Sequence, residues 1–392
     1  EEALEQILSR VRPLGTERVD LVSALGRVLA ETVVSGREIP PWPNSSMDGY
    51  AVRAAETREG TARLTIVGRV AAGAMPARSV GPGEAMRIFT GAPLPEGADA
   101  VVPQEDVDAA GDVVTVRRAV VAGEYVRPRG EDLRVGDVVL EPGQVIGPAE
   151  VGMLATLGRA RVSVHRRPRV AILSTGDELA ELGEDPGPGQ IPNTNTYSLL
   201  AQTVEAGADP ISLGVAPDRL EAIEERLRWG AGADVLISSA GVSVGEADLV
   251  KEALRRAGAE LHLWQVSMRP GKPITFGTLG AKIVFGLPGN PVSAMVTFEL
   301  FVRPALRKLG GHRSLQRPRI VARALGPIPN PGRRRAYLRV TLARDGQGHA
   351  ARLTGEQGSA ILRSMVLADG LAVVAGDTIV KSGDDVEVIP IR

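Results

Sequence analysis

The spacing of apolar residues divides the chain into regions of different rhythm. Leu4, Ile7, Leu8 and Val11 recur at helical spacing, and Leu21, Leu25, Val28 and Leu29 repeat it, so residues 1–31 read as two helices. The stretch REIPPWPNSSMDGYAV (37–52) breaks that rhythm with three prolines. From 62 to 140, short β-like runs alternate with turn clusters: LTIVGRV, AMRIFTG, DAVVPQE, VVTVRRAV and GDVVL. They predict a small β-rich domain, inserted because GPAEVGMLATLG (147–158) reads as helix again. Between 168 and 312, strand-like RVAILS, DPISLGV and ADVLISS alternate with helix-like 195–207, 218–229 and 246–258. ELHLWQVSM, KPITFGTL, AKIVFGL and a long helix from Asn290 follow. This alternation predicts an α/β domain with a parallel, doubly wound sheet. The tail from 317 returns to β-runs and predicts a separate barrel or sandwich.

Ligands of an open parallel sheet bind beyond the carboxyl ends of its strands, so the post-strand loops are the candidate site. The first is STGDEL, with Ser174, Thr175 and Gly176 followed by Asp177 and Glu178. The second, SSAGVSVGEADLV (238–250), carries Gly241, Ser243 and Asp248. The third, FGLPGNPVSA (285–294), carries Pro288, Gly289, Asn290 and Ser293, with Asn290 placed to cap a helix that Pro291 opens. Taken singly, such glycine turns and acids at helix starts are ordinary capping. Their convergence is the signal, because backbone turns suit phosphate oxygens and carboxylates repel them. A divalent cation lying between reconciles the two, with Asp177, Glu178 and Asp248 as its ligands. MRPGKPITFG (268–277) adds Arg269 and Lys272 on a Pro-Gly-Pro frame ending at Pro273, suited to a small oxyanion. By spacing alone, Asp48, Thr90, Arg127 and Asp132 are turn residues and no more.

Composition narrows the chemistry. The chain has no cysteine, which removes disulfides, thiolate metal sites and a thiol nucleophile and fits the cytoplasm. Its four histidines are scattered, so a metal here should be a hard, oxygen-bound ion such as Mg2+. A net charge of −1 gives no footprint for nucleic acid or an anionic membrane, and no apolar run is long enough to span a bilayer. Neither a dinucleotide-binding G-x-G-x-x-G nor a P-loop motif is present.

SSMDGYA, FTGAPLP, VRPRGED, STGDEL, SAGVSVGEAD, MRPGKP, GLPGNPVS and GEQGSAILRSM occur in that order along the chain. Together they resemble the molybdopterin molybdenumtransferases of MoeA type, the family that includes the E domain of gephyrin. The resemblance implies an N-terminal helical and linking domain (1–45 with 137–167) and an inserted β-rich domain (46–136). It further implies an α/β molybdopterin-binding domain (168–313) and a C-terminal β-barrel (314–392). The implied reaction is Mg2+-assisted insertion of molybdate into adenylylated molybdopterin with release of AMP. By this resemblance Asp48, Thr90, Glu178, Asp218 and Asp248 are catalytic acids and their partner, and Arg127 and Asp132 bind substrate. The molybdate pocket would take Ser243, Arg269, Lys272, Pro273, Ser293, Arg334 and Ser359. The family commonly has lysine where this chain has Arg269, and GRRRAYLRV (332–340) is one residue longer than the usual barrel motif, leaving Arg333, Arg334 and Arg335 as alternatives. A homodimer is implied, with molybdopterin adenylyltransferase and apo-molybdoenzyme acceptors or chaperones as further partners. The alternatives are a molybdopterin adenylyltransferase, a tungstate-inserting paralogue and a non-catalytic scaffold.

Overall fold

The computed structural model describes residues 1–240, 249–346 and 348–392. The chain forms two compact units. One comprises Glu1–Glu31, Pro142–Val151 and Ala160–Arg392, the other Thr32–Glu141 and Gly152–Arg159.

The first unit is organised around a six-stranded sheet. Its strands are β1 (Arg169–Thr175), β2 (Asp209–Ala216), β3 (Val235–Ser239), β4 (Glu260–Gln265), β5 (Pro273–Leu279) and β6 (Lys282–Leu287), in the order β2-β1-β3-β6-β5-β4. The pairs β1–β2, β1–β3 and β3–β6 are parallel, and β5 runs antiparallel to both β6 and β4. The run RVAILST is buried at every position after Arg169, as a parallel strand covered on both faces must be. Side chains alternate between two cores. Val170, Ile172, Val235 and Ile237 join Ile7, Leu199 and Phe298, whereas Ala171, Leu173 and Leu236 join Ile223, Ala253 and Leu254. Each buried Leu, Ile or Val contributes about 1.5–3 kcal/mol relative to exposure. The helices covering the sheet are α1 (Thr194–Glu205), α2 (Leu220–Trp229), α3 (Leu249–Arg256) and α4 (Pro291–Thr297). α4 runs through a π-helical turn, Phe298–Val302, into α5 (Arg303–Leu309).

Register makes the site. Ser174 lies opposite Ser239, Ser239 opposite Leu287, and Thr175 opposite Ala216, so four strands end in one row and their loops leave from one edge.

Beyond α5, five strands close into a barrel: Ile320–Ala324, Arg335–Asp345, Gly348–Leu353, Gly370–Val374 and Asp385–Pro390. Arg335–Asp345 pairs with both Gly348–Leu353 and Gly370–Val374, which closes the ring and leaves a short stretch of its edge free. Met268–Arg269, from the α/β domain, adds there in parallel against Arg335 and Ala336.

The second unit holds a six-stranded sheet ordered Val107–Ala110, Val113–Val116, Ala62–Val70, Glu84–Ile88, Gly49–Val52 and Ala100–Pro103. Four of these match the β-like runs, while Gly49–Val52 sits inside the stretch whose prolines break the pattern.

One expected helix is absent. Residues 2–10 are helical, but the second apolar repeat, which follows a strand at Thr16–Asp20, is a 3-10 turn, Val22–Ala24, and then extended chain. Its backbone bonds go to distant partners: Leu21 to Ala160, Gly26 to Ile146, Leu29 to Gln144 and Ala30 to Ser163. Gly26 has φ of +73°, and Val22 and Leu25 are exposed, so the helical spacing is incidental to a β segment. Long-range pairing overrides it.

Candidate active site at the carboxyl edge of the sheet

The acidic side of the edge is built by the turn after β1. Gly176 has φ of +144°, and a Cβ there would lie 2.4 Å from Glu178 Oε2, so glycine lets the Glu178 carboxylate fold back over the turn. Asp177 Oδ1 accepts the backbone N–H of Asp218, from the loop after β2, at 3.1 Å. Partial desolvation raises the Asp218 carboxyl above its ordinary value, and the charges of Asp177 and Glu178 raise it further. Three carboxylates therefore crowd one another. Ser174 is fully buried and shares a 2.7 Å hydrogen bond with Thr196 of α1; Thr175 is buried as well.

A residue that the motifs did not single out joins the loops. Asn195, in the first turn of α1, donates from Nδ2 to Ser239 Oγ at 2.8 Å and to the carbonyl of Gly289 at 2.6 Å. It thereby ties three post-strand loops together. Asn290 occupies the cap position of α4 and Pro291 its first turn, but the Asn290 amide does not cap the helix. It donates instead to Ser359 Oγ of the barrel segment at 3.0 Å, and Val292 N–H bonds the Ser359 carbonyl. The capping expectation fails because the barrel offers a competing acceptor. Between these loops lies a cavity of 600 Å3 lined by Glu178, Asn193, Asn195, Ser239, Gly289 and Asn290, with Ala360 and Leu362 on the barrel side.

The basic side comes from MRPGKP and the barrel. Gly271 has φ of +94° and packs on Thr297 of α4, where a Cβ would stand 2.3 Å from Oγ1. Lys272 and Arg269 are exposed on this turn, Pro273 is half-buried, and Ser293 and Pro288 are buried. Arg334 Nη1 donates to the Met268 carbonyl at 3.1 Å, whereas Arg335, whose backbone pairs with Met268, has its side chain on Glu1 at 3.6 Å, so of these two it is the Arg334 side chain that bonds the Arg269 segment. Fully buried Asn330 holds the arginine loop, donating to the Arg334 carbonyl at 2.8 Å.

Arg339 is a second residue that sequence reasoning missed. It is completely buried, with Nε on Ser364 Oγ at 3.0 Å and Nη2 on the Gly358 carbonyl at 3.1 Å, while Nη1 has no partner among the described residues. Burial, reinforced by the nearby charge of Arg269, lowers its pKa to about 10. A charge in the middle of the apolar strand AYLRVTL was the signal available in the sequence.

In the second unit, Asp48 Oδ1 accepts both the N–H and the hydroxyl of Thr90 at 2.8 Å, and these bonds, with the charge of Arg87, hold its carboxyl below the ordinary range. Arg127 pairs in a short strand with Asn44, and Asp132 is bonded through its backbone to Ile39; both side chains are exposed. Gly241, Ser243 and Asp248 lie outside the described residues. Among the described residues no group of three acids or histidines is arranged to hold a metal, and no helix is long and apolar enough to cross a membrane.

Known proteins place this architecture. Residues 1–158 match the MoeA N-terminal region (domain I and II), 171–308 a probable molybdopterin binding domain, and 321–391 the MoeA C-terminal region (domain IV). A molybdopterin molybdenumtransferase of Nostoc sp. is 40% identical over 385 residues, covering 95% of this chain and 88% of that protein. Molybdopterin molybdenumtransferase 2 of Mycobacterium tuberculosis is 36% identical over 394 residues, covering 98% and 96%. The crystal structure of a molybdopterin biosynthesis MoeA protein from Pyrococcus horikoshii OT3 superposes with a TM-score of 0.85 at 32% identity, covering 99% of this chain and 98% of that one. With all three regions in order and relatives of this identity spanning nearly its whole length, the chain belongs to the MoeA family of molybdopterin molybdenumtransferases.

Proposed function

We propose that this enzyme acts in molybdenum cofactor biosynthesis, inserting molybdate into adenylylated molybdopterin with cleavage of the pyrophosphate bond and release of AMP. The observation that carries this reading is the 600 Å3 cavity, which has the Glu178 loop on one wall and the segment after Ser359 on another. Such a volume suits a small heterocyclic ligand. The acidic turn and the basic barrel segment supply opposite charges at the same sheet edge.

Carboxylate oxygens are the donors a hard divalent cation takes, and one would relieve the repulsion from Asp177 and Glu178 that adds to burial in raising Asp218. The donor chemistry suits Mg2+, which Asp177 and Glu178 would hold together with Asp248; the described residues alone do not complete a metal-binding group. When bound, Mg2+ supplies positive charge against the pyrophosphate oxygens. The chain's own residues do the rest. Asn195 and Asn290 fix the loops whose backbone N–H groups meet the phosphates. Arg269, Lys272 and Arg339 orient molybdate, with Arg334 and Ser359 at the border of that pocket. Arg339 is suited to this because an oxyanion would satisfy its unpartnered Nη1. Asp48, held ionised by Thr90, acts as a catalytic carboxylate and Arg127 and Asp132 bind substrate, and the homodimer, the four-domain division, the cytoplasmic location and the acceptor partners belong to this proposal.

The test supplies adenylylated molybdopterin, molybdate and Mg2+ to the purified protein and follows AMP and the activation of a molybdenum-free apoenzyme. AMP release with activation is expected, and Glu178→Gln should abolish both while leaving the melting temperature intact. Consumption of ATP with metal-free molybdopterin, and no AMP release from the adenylylated form, would instead make the protein an adenylyltransferase.

A further inference from the structure

A second cavity, of 390 Å3, opens between the carboxyl ends of α2 and α3 and the β5–β6 turn. It sits where β3 and β6 begin, at the amino edge of the sheet and so opposite the candidate active site. Its walls are aliphatic: Leu227, Leu236, Ala253, Ala257 and Leu279. Its polar lining is mainly cationic, from Arg228, Arg256 and Lys282. Glu224 is the carboxylate among the described lining residues, 3.8 Å from Arg256, which also bonds Glu252 at 3.0 Å. The Lys282 ammonium donates to the Ala231 carbonyl. The lining therefore carries two positive charges in excess of its carboxylate.

We propose that this cavity is a second ligand site, for a small amphiphilic anion. An apolar body gains by displacing water from the aliphatic walls, and an anionic headgroup gains a charge-assisted bond at the rim. A cationic amphiphile would gain the first and lose the second. Volume and lining match those of small-molecule sites, in which apolar walls surround a few convergent polar groups. Carboxylate and phosphate headgroups share the chemistry that this rim recognises.

The full-length protein is titrated with the fluorescent sulfonate 1-anilinonaphthalene-8-sulfonate. One saturable site per chain is expected, displaced by octanoate or octyl phosphate and not by octylammonium; the more effective of the two anions identifies the headgroup. Reversing the rim with Arg228→Glu and Lys282→Glu should weaken the dye at least tenfold. Ala257→Trp, at an exposed position of the lining, should abolish binding by filling the cavity. Melting curves check that the variants fold, and Lys282→Gln, expected to weaken the dye about threefold, serves if a larger change does not. Unchanged dye affinity in the folded variants, or displacement by octylammonium as effective as by octanoate, would overturn the proposal. So would displacement of the dye by AMP in place of octanoate, since the dye would then occupy the carboxyl-edge cavity.

Discussion

The acidic turn after β1 and the basic barrel segment around Arg339 solve opposite problems. Asp177, Glu178 and Asp218 are like charges at the surface, where water screens them, and Asp218 is raised first by partial burial and then by its two neighbours. Arg339 is a single charge without solvent exposure: it is fully buried, bonded to neutral oxygens, and beside another cation, Arg269. Surface crowding costs little, whereas an uncompensated buried charge costs several kcal/mol. The more costly arrangement is the more informative, and it points to an anion.

The largest expected effect comes from Arg339→Met, which keeps an unbranched apolar stem and removes the charge. Molybdate-dependent AMP release should fall at least a hundredfold, while stability without oxyanion changes by less than about 1.5 kcal/mol or rises, as expected when an unpaired buried charge is replaced. The thermal shift induced by molybdate should disappear. A destabilisation of about 4 kcal/mol with the molybdate shift retained would show that Arg339 is purely structural.

A third crowded region sharpens the contrast because it needs no ligand. His312, buried near Arg307, Arg303 and His165, has its pKa lowered to about 4, so it stays neutral in the folded protein. The unfolded chain binds a proton there from pH 6.5 downwards. Stability from this group is complete above pH 6.5 and lost as pH falls toward 4, by about 3 kcal/mol. Denaturant unfolding across that range should show the loss, and His312→Gln should flatten it. An equally steep curve in the variant would remove His312 from the account.

How much of this was legible in the sequence follows from the reach of each interaction. The STGDEL and GLPGNP loops could be read because a strand end, a glycine turn and an acid or proline lie within a few residues. The surroundings of Arg339 could not, although its charge in an apolar strand marks it, because its partners Ser364 and Gly358 and its neighbour Arg269 come together only when the barrel closes on the MRPGKP segment. Asn195 was hidden for the same reason: its bonds reach Ser239 and Gly289, 44 and 94 residues away. The apolar repeat at 21–29 misled because helical spacing is also compatible with a strand and turns paired at long range.

Smaller effects divide the loops between the two sides. Asn195→Ala removes two hydrogen bonds and leaves the Gly289 carbonyl short of a donor. It should cost about 1–3 kcal/mol and raise the KM for adenylylated molybdopterin more than it changes the molybdate requirement. Equal changes in both would mean that Asn195 holds the whole edge and not the cofactor side. A double-mutant cycle on Asn290→Ala and Ser359→Ala should give a coupling of about 0.5–1.5 kcal/mol in unfolding free energy. Strict additivity would show that the contact contributes nothing to joining the barrel to α4.

The central claim is that one sheet edge keeps its cation-holding and oxyanion-holding functions on separate residues. The direct measurement is the concentration of Mg2+ and of molybdate needed for half-maximal AMP release, in Glu178→Asp and in Lys272→Ala. The account predicts a crossed result. Glu178→Asp should raise the Mg2+ requirement at least tenfold and leave molybdate within twofold. Lys272→Ala should raise the molybdate requirement at least tenfold, for the loss of a charge-assisted bond of about 1.5–3 kcal/mol, and leave Mg2+ within twofold. Both requirements rising together in either variant would contradict it.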